Sequence, residues 1–220
     1  MVKRLVVPLK VLFIGNSFTQ RNDLPGLIAK LASARGREMQ HQLITAGGAS
    51  LRRHWNAGHA RSAISEGHYD FVVLQEQSTL PIKNSARMHE NVRLFDEAIH
   101  EAGSKTVLYM TWARQHSPES QQDITKAYIS VGRERGAMVV PVGTVWQSYI
   151  YKHDHPVLHD RDQSHPSLAG SYLAACVFVA AMLKENPVGI VAEIFGLDDE
   201  VQLQLRKAAW RECQPKSRWK

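Results

Sequence analysis

The sequence predicts an α/β protein: a three-layer α/β/α sandwich on a central parallel sheet of about five strands. Three observations carry that expectation. Short apolar runs without alternation, such as Val11-Leu12-Phe13-Ile14 and Phe71-Val72-Val73-Leu74, suit strands covered on both faces. Segments with apolar residues at helical spacing separate these runs, so each strand can return parallel through a helical crossover. The 220 residues, 44% of them hydrophobic, suffice for a substantial core in a single domain spanning 1–220.

In order, the first strand covers residues 10–14, bounded by Lys10 and Gly15, and a helix over 24–34 follows around Pro25 and ends near Gly36. The second strand, 39–45, leads through Gly47-Gly48 into a short helical segment with Arg52, Arg53 and His54 that stops near Gly58. The third, 71–74, precedes a helix over 85–101 whose Val92, Phe95, Ala98 and Ile99 recur on one face. Strand four covers 106–110 and is followed, after Ser117-Pro118, by a helix over 119–132; strand five covers 137–140. An apolar helix over 173–183 and a basic helix and tail from about 198 complete the chain.

The net charge is +6, which raises nucleic-acid binding as a class. Its distribution argues against it: Arg206, Lys207, Arg211, Lys216, Arg218 and Lys220 face one acid, Glu212, at the carboxyl end, and the remainder is close to neutral. A solvated terminal helix and tail is the expectation, with no nucleic-acid partner. Cys176 lies within the apolar helix as a small buried hydrophobe, and with Cys213 it makes no disulfide framework. Residues 1–8 lack the apolar length of a secretory leader, and no stretch reaches the roughly 18 apolar residues of a membrane span. A soluble, cytoplasmic protein is expected.

Chemistry concentrates at two places. The first strand stops at Gly15 and delivers Ser17 into the loop at its carboxyl end, where open α/β sheets bind ligands. Late in the chain stand Asp162 and His165, three residues apart. A serine hydroxyl needs a base to take its proton, and the base needs a third group to orient it and stabilise its charge. Read singly, Ser17 is equally a turn or cap residue, and Asp162 a cap of the following helix.

Together, Gly15-Asn16-Ser17-Phe18-Thr19 and Asp162-Gln163-Ser164-His165-Pro166-Ser167 resemble the SGNH (GDSL-like) hydrolase superfamily over nearly the whole chain. The resemblance implies a flavodoxin-like sheet, a nucleophile at Ser17, a base at His165 and an acid at Asp162. It also implies an oxyanion hole from the Ser17 N–H, a glycine after the second strand, read as Gly48 in preference to Gly47, and an asparagine after the third. There the chain departs, with Leu74-Gln75-Glu76-Gln77-Ser78 in place of a Gly-x-Asn-Asp block. Gln77 falls on the asparagine position and carries the same amide donor on one more methylene, while Gln75, on the glycine position, receives no role.

Candidate substrate contacts are Asn16, beside the serine, and Trp112 and Arg114 after strand four, with His116 read as a solvated loop residue. Trp112 is equally a residue of the sheet edge, and an exposed Arg114 needs no ligand to explain it. His153, Asp154, His155, His159, Asp160, Asp162 and His165 form a rival, metal-binding constellation, but the His-x-His-x-x-x-His spacing matches no specific metal motif. The expected function is a metal- and cofactor-independent serine esterase removing a short, acetyl-like group from a small polar or carbohydrate ester. The alternatives are a silent binding protein on the same fold, or a thioesterase or lipase. The oligomeric state is open.

Overall fold

The computed structural model describes residues 7–192 and 194–214. Five parallel strands, β1 Leu9–Gly15, β2 Met39–Thr45, β3 Phe71–Leu74, β4 Lys105–Tyr109 and β5 Met138–Val140, form one sheet in the order β2-β1-β3-β4-β5. Helices α1 Ser17–Gln20, α2 Leu24–Ser33, α3 Leu51–Ala57, α4 His59–Gly67, α5 Leu80–Lys83, α6 Ser85–Glu101, α7 Gln121–Arg135, α8 Val142–Lys152, α9 Leu168–Ala181 and α10 Asp199–Cys213 surround it. This is the flavodoxin-like arrangement that the sequence predicts.

Successive side chains of a strand point to opposite faces, and here both faces are covered. Val11, Phe13, Val73, Val107, Tyr109 and Val140 pack with α2, α8, α9 and α10; Leu12, Ile14, Val72, Leu74, Leu108 and Met110 pack with α3, α4, α6 and α7. The apolar runs lack alternation because there is no solvent face to mark. Helix α9 is apolar all round and buried from Ala169 to Ala181, with Phe178 set edge-on against Phe13 and Tyr109. Burial of a side chain of that size contributes roughly 1.5–3 kcal/mol.

Helix starts follow their caps. Asp23 accepts from Gly26 N–H at α2, Asn84 from Arg87 N–H at α6, and Ser167 from Gly170 N–H at α9. Strand boundaries fall within a residue of expectation, and α9 begins five residues earlier than the apolar run suggests. Helices α1, α4, α5 and α8 are additions. The basic carboxyl end also differs from expectation, because α10 is no solvated helix: Leu205, Ala208 and Ala209 join the core beside α9, and Arg206 is itself buried. Residues 215–220, the rest of the basic tail, lie outside the described residues, as do 1–6. Among the described residues no helix is long and apolar enough to cross a membrane.

The order reverses at β1, which lies between β2 and β3. Loops leaving the carboxyl ends of β1 and β3 therefore turn toward opposite faces and open a crevice between them. Ser17 and Gln77 stand in those two loops.

Candidate active site

The turn after β1 requires a glycine, because a Cβ at Gly15 would lie 2.6 Å from both Gln75 Oε1 and Thr19 Oγ1. Gln75, wholly buried, explains that closeness: its Oε1 accepts from Asn16 N–H and from Thr19 Oγ1–H, both at 2.9 Å, and its Nε2 donates to Glu76 O at 2.5 Å. Gln75 is thus the strut of the Ser17 turn, a structural role beside its having none in the chemistry. Asn16 is also committed. Its Nδ2 donates to Ala49 O at 3.0 Å and its Oδ1 accepts from Phe18 N–H at 3.1 Å, with the residue 2% exposed. Asn16 thus caps α1 and ties the Ser17 turn to the loop after β2.

Ser17 opens α1, half-buried, with its Oγ 2.7 Å from His165 Nε2. On the far side of the ring, Nδ1 lies 2.5 Å from Asp162 Oδ2, while Asp162 Oδ1 accepts from the backbone N–H groups of Ser164 at 3.0 Å and His165 at 2.9 Å. A carboxylate only accepts, so Nδ1 faces Asp162 with a proton, and in the tautomer this sets, Nε2 is placed to accept from the serine hydroxyl. Desolvation opposes the Asp162 charge, but the bonds from His165 N–H, the His165 ring and Ser164 N–H, with the charge of His165, outweigh it and hold the carboxyl well below the usual range. A depressed value gives stability that is complete above the ordinary aspartate value of about 3.9 and is lost only as pH falls through the folded value.

The loop that carries this pair is pinned on three sides. Trp112 Nε1 donates to Ser164 O at 3.0 Å, Gln115 N–H to Gln163 O at 2.9 Å, and Asp160 N–H to His165 O at 2.8 Å. Asn22, just beyond α1, donates from Nδ2 to Pro166 O, Ser167 O and Ser171 Oγ at 2.9–3.3 Å, joining the serine turn to the histidine loop. Arg21 pairs with Asp160 at 2.5 Å and comes within 4.0 Å of Asp162.

Trp112 is 2% exposed and stacked between Phe18 and Trp146, with ring centroids 5.0 and 3.8 Å away, and its remaining edge lines a cavity shared with Arg114. Arg114 stays exposed on the rim of a cavity of about 200 Å³ between the loops after β3 and β4, with Ser78, Thr79, Lys83 and His116. The rival metal constellation is dispersed: His159 donates to Ala113 O, His153 packs at a tilt against Tyr149, and Asp160 pairs with Arg21. Burial lowers the His159 pKa, against the Ala113 bond and the Asp162 charge, which suits a neutral, donating ring.

Gly48 adopts φ +60, a conformation that favours glycine, and its N–H, like that of Ser17, has no hydrogen-bond partner among the described residues. Gln77 is used at one end: Oε1 accepts from Thr79 N–H at 2.9 Å, Thr79 Oγ1–H at 3.0 Å and Leu80 N–H at 3.0 Å. Those donors fix which end of the amide is which, and Nε2 remains without a partner among the described residues.

Two further features escape sequence reasoning. His54 sets Nε2 2.7 Å from Gly15 O, and burial lowers its pKa, offset in part by that bond, so its neutral ring donates to the end of β1. Glu76, 1% exposed, accepts from Leu51 N–H, Gln77 N–H and Asn91 Nδ2–H, and Asn91 Oδ1 in turn accepts from Arg52 Nε–H. Burial raises the Glu76 pKa against the pull of Asn91, Gln77, Leu51 and Arg52. A raised value favours folding at low pH, and that contribution is lost as pH rises through the folded value. The one sequence signal for this cluster is three consecutive polar residues, Gln75-Glu76-Gln77, directly after a buried strand.

No protein-family profile matches the chain, and no curated protein does. Solved structures do. One described as a candidate SGNH hydrolase from Slackia heliotrinireducens is 27% identical, with 80% of this chain and 100% of that one covered at a TM-score of 0.70. A DUF4886 family protein from Bacteroides uniformis is 21% identical over 93% and 94% at 0.75, and an acetyl xylan esterase, AlAXEase, is 18% identical over 79% and 99% at 0.64. In sheet order and overall fold the chain is similar to these structures, among them the candidate SGNH hydrolase at 27% identity.

Proposed function

We propose that the protein is a serine esterase that removes a short acyl group from a small polar ester, with Ser17 as nucleophile, His165 as base and Asp162 as the group that orients the base. The observation that carries this reading is the continuous chain from Ser17 Oγ to His165 Nε2 at 2.7 Å and from His165 Nδ1 to Asp162 Oδ2 at 2.5 Å. Ser17 Oγ attacks the ester carbonyl carbon as its proton passes to Nε2, and the carbonyl oxygen becomes an oxyanion held by the Ser17 and Gly48 N–H groups and Gln77 Nε2. Collapse breaks the ester C–O bond, and the leaving alcohol takes the proton from Nε2. Water then attacks the acyl-serine, gives a proton to the same nitrogen, and releases the acid as Ser17 is reprotonated. Nucleophile, base and oxyanion donors all come from the chain, so the mechanism calls for no metal.

The short-acyl preference is the expectation drawn from the sequence, where no long apolar lid segment stands near the site blocks. Hydrolysis of p-nitrophenyl acetate should be measurable and unchanged by EDTA, with kcat/KM falling as the acyl chain lengthens. Chelator-sensitive turnover would remove the metal-free mechanism. Preference for octanoyl over acetyl would replace the short-acyl reading with a lipase- or thioesterase-like one.

A further inference from the structure

We propose that Glu76 is a positioning residue of this site: its carboxylate holds the loop carrying Gly48 and the loop carrying Gln77 at the separation that lets their N–H donors meet on one oxyanion. The inference rests on the hydrolase reading above. Leu51, three residues beyond Gly48, gives its backbone N–H to Glu76 Oε1 at 3.0 Å, and Gln77 gives its own to the same oxygen at 2.7 Å. Oε2 takes Asn91 Nδ2–H at 2.7 Å, and Asn91 Oδ1 takes Arg52 Nε–H at 3.0 Å, with Arg52 next in sequence after Leu51. The circuit runs from the β3 loop to α6, to α3 and back through the Leu51 backbone.

A buried carboxylate is costly, and an apolar side chain would fill the space with a smaller desolvation penalty if filling were the purpose. What an apolar residue cannot do is accept from two loops at once. Three donors converge on Glu76, and a neutral amide has only one acceptor atom. Glu76→Gln therefore leaves a clash of donors wherever the amides turn. With the oxygen of the new amide kept on the two backbone N–H groups, its NH₂ faces Asn91 Nδ2. If Asn91 flips to relieve this, its Nδ2 faces Arg52 Nε; if the new amide flips instead, its NH₂ faces the two backbone N–H groups. Asn91→Asp sets a second carboxylate against the first and removes the donor between them. The double change E76Q/N91D satisfies every position again. The introduced amide takes both backbone N–H groups on its oxygen and donates its NH₂ to the introduced carboxylate, which also accepts from Arg52.

The test is a double-mutant cycle on p-nitrophenyl acetate, with rates expressed per Ser17 titrated by a fluorophosphonate and with phenylboronic acid as the tetrahedral mimic. Each single variant should lose about 10- to 100-fold in kcat with KM within about threefold, and the double variant should return to within about fivefold of wild type. Phenylboronic acid affinity should fall and recover in parallel with kcat/KM. A merely structural role would lower the melting temperature and the titrated fraction and leave kcat per titrated serine unchanged. That result, or a folded E76Q/N91D protein as slow as the singles, overturns the inference. If E76Q alone does not fold, the double variant decides by itself, since it keeps every hydrogen bond. A wild-type protein that neither turns over nor takes the fluorophosphonate refutes the hydrolase reading, a result distinct from failure of the cycle in an active enzyme.

Discussion

Asp162→Asn should lower kcat by on the order of 10⁴-fold while KM stays nearly constant. The reason lies at the end of the carboxylate that does not touch the ring. Asp162 Oδ1 accepts two backbone N–H groups, those of Ser164 and His165. An asparagine must turn its oxygen to those donors, which sets its NH₂ against His165 Nδ1. The ring then accepts at Nδ1 and carries its proton at Nε2, facing the Ser17 hydroxyl, so the base can no longer take the serine proton. Asp160→Asn should change kcat by less than about threefold, since Asp160 Oδ2 holds Arg21 in an exposed pair worth about 0–1 kcal/mol, and the bond that Oδ1 accepts from Arg161 N–H at 2.8 Å can pass to the asparagine oxygen. Steady-state kinetics with thermal melts of both variants checks this; equal losses would move the acid role away from Asp162.

Gln77→Glu should cost about a hundred- to a thousandfold in kcat, or roughly 2.7 to 4 kcal/mol, because the oxyanion loses a donor as its charge develops. Glutamate is the informative replacement. Gln77 Oε1 caps the start of α5 through Thr79 and Leu80, and methionine would remove that cap along with the donor. Glutamate keeps an oxygen for the cap and puts another where Nε2 was, so the melting temperature should hold while turnover falls. Gln77→Asn should recover little, because a side chain one methylene shorter cannot hold the Thr79 and Leu80 donors and reach the oxyanion together. A folded Gln77→Glu enzyme with wild-type kcat would place the third donor elsewhere. Gln75 cannot serve as a silent control, since it struts the Ser17 turn.

How legible these features are in sequence depends on how far apart their partners lie. Ser17, Asp162 and His165 stand in short local blocks with a recognisable order, and the strands show as unbroken apolar runs because both of their faces are buried. The Glu76 circuit joins Leu51, Arg52, Gln77 and Asn91 across two loops and two helices. Polar residues that far apart give no periodic signal, and their burial appears only once the chain is folded. Helix α8 was hidden for another reason: Val142, Thr144, Val145, Trp146, Tyr149 and Ile150 are β-branched or aromatic residues of weak helix propensity, and the helix is set by packing of Val142, Val145, Trp146 and Tyr149 into the core beside α9. In α10 the surrounding basic residues mask Leu205, Ala208 and Ala209, the stripe that docks it.

Whether Ser17 is a nucleophile activated by His165 can be tested by covalent labelling without knowledge of the natural substrate. A fluorophosphonate carries the phosphorus centre that an activated serine attacks, and loss of fluoride leaves one stable adduct. Intact-mass and peptide analysis of the treated protein should show a single adduct on the peptide containing Ser17, absent from Ser17→Ala and formed far more slowly in His165→Ala. Labelling of another residue, or none in a folded protein with Ser17 Oγ 2.7 Å from His165 Nε2, would contradict the account and leave a ligand-binding protein on a hydrolase fold.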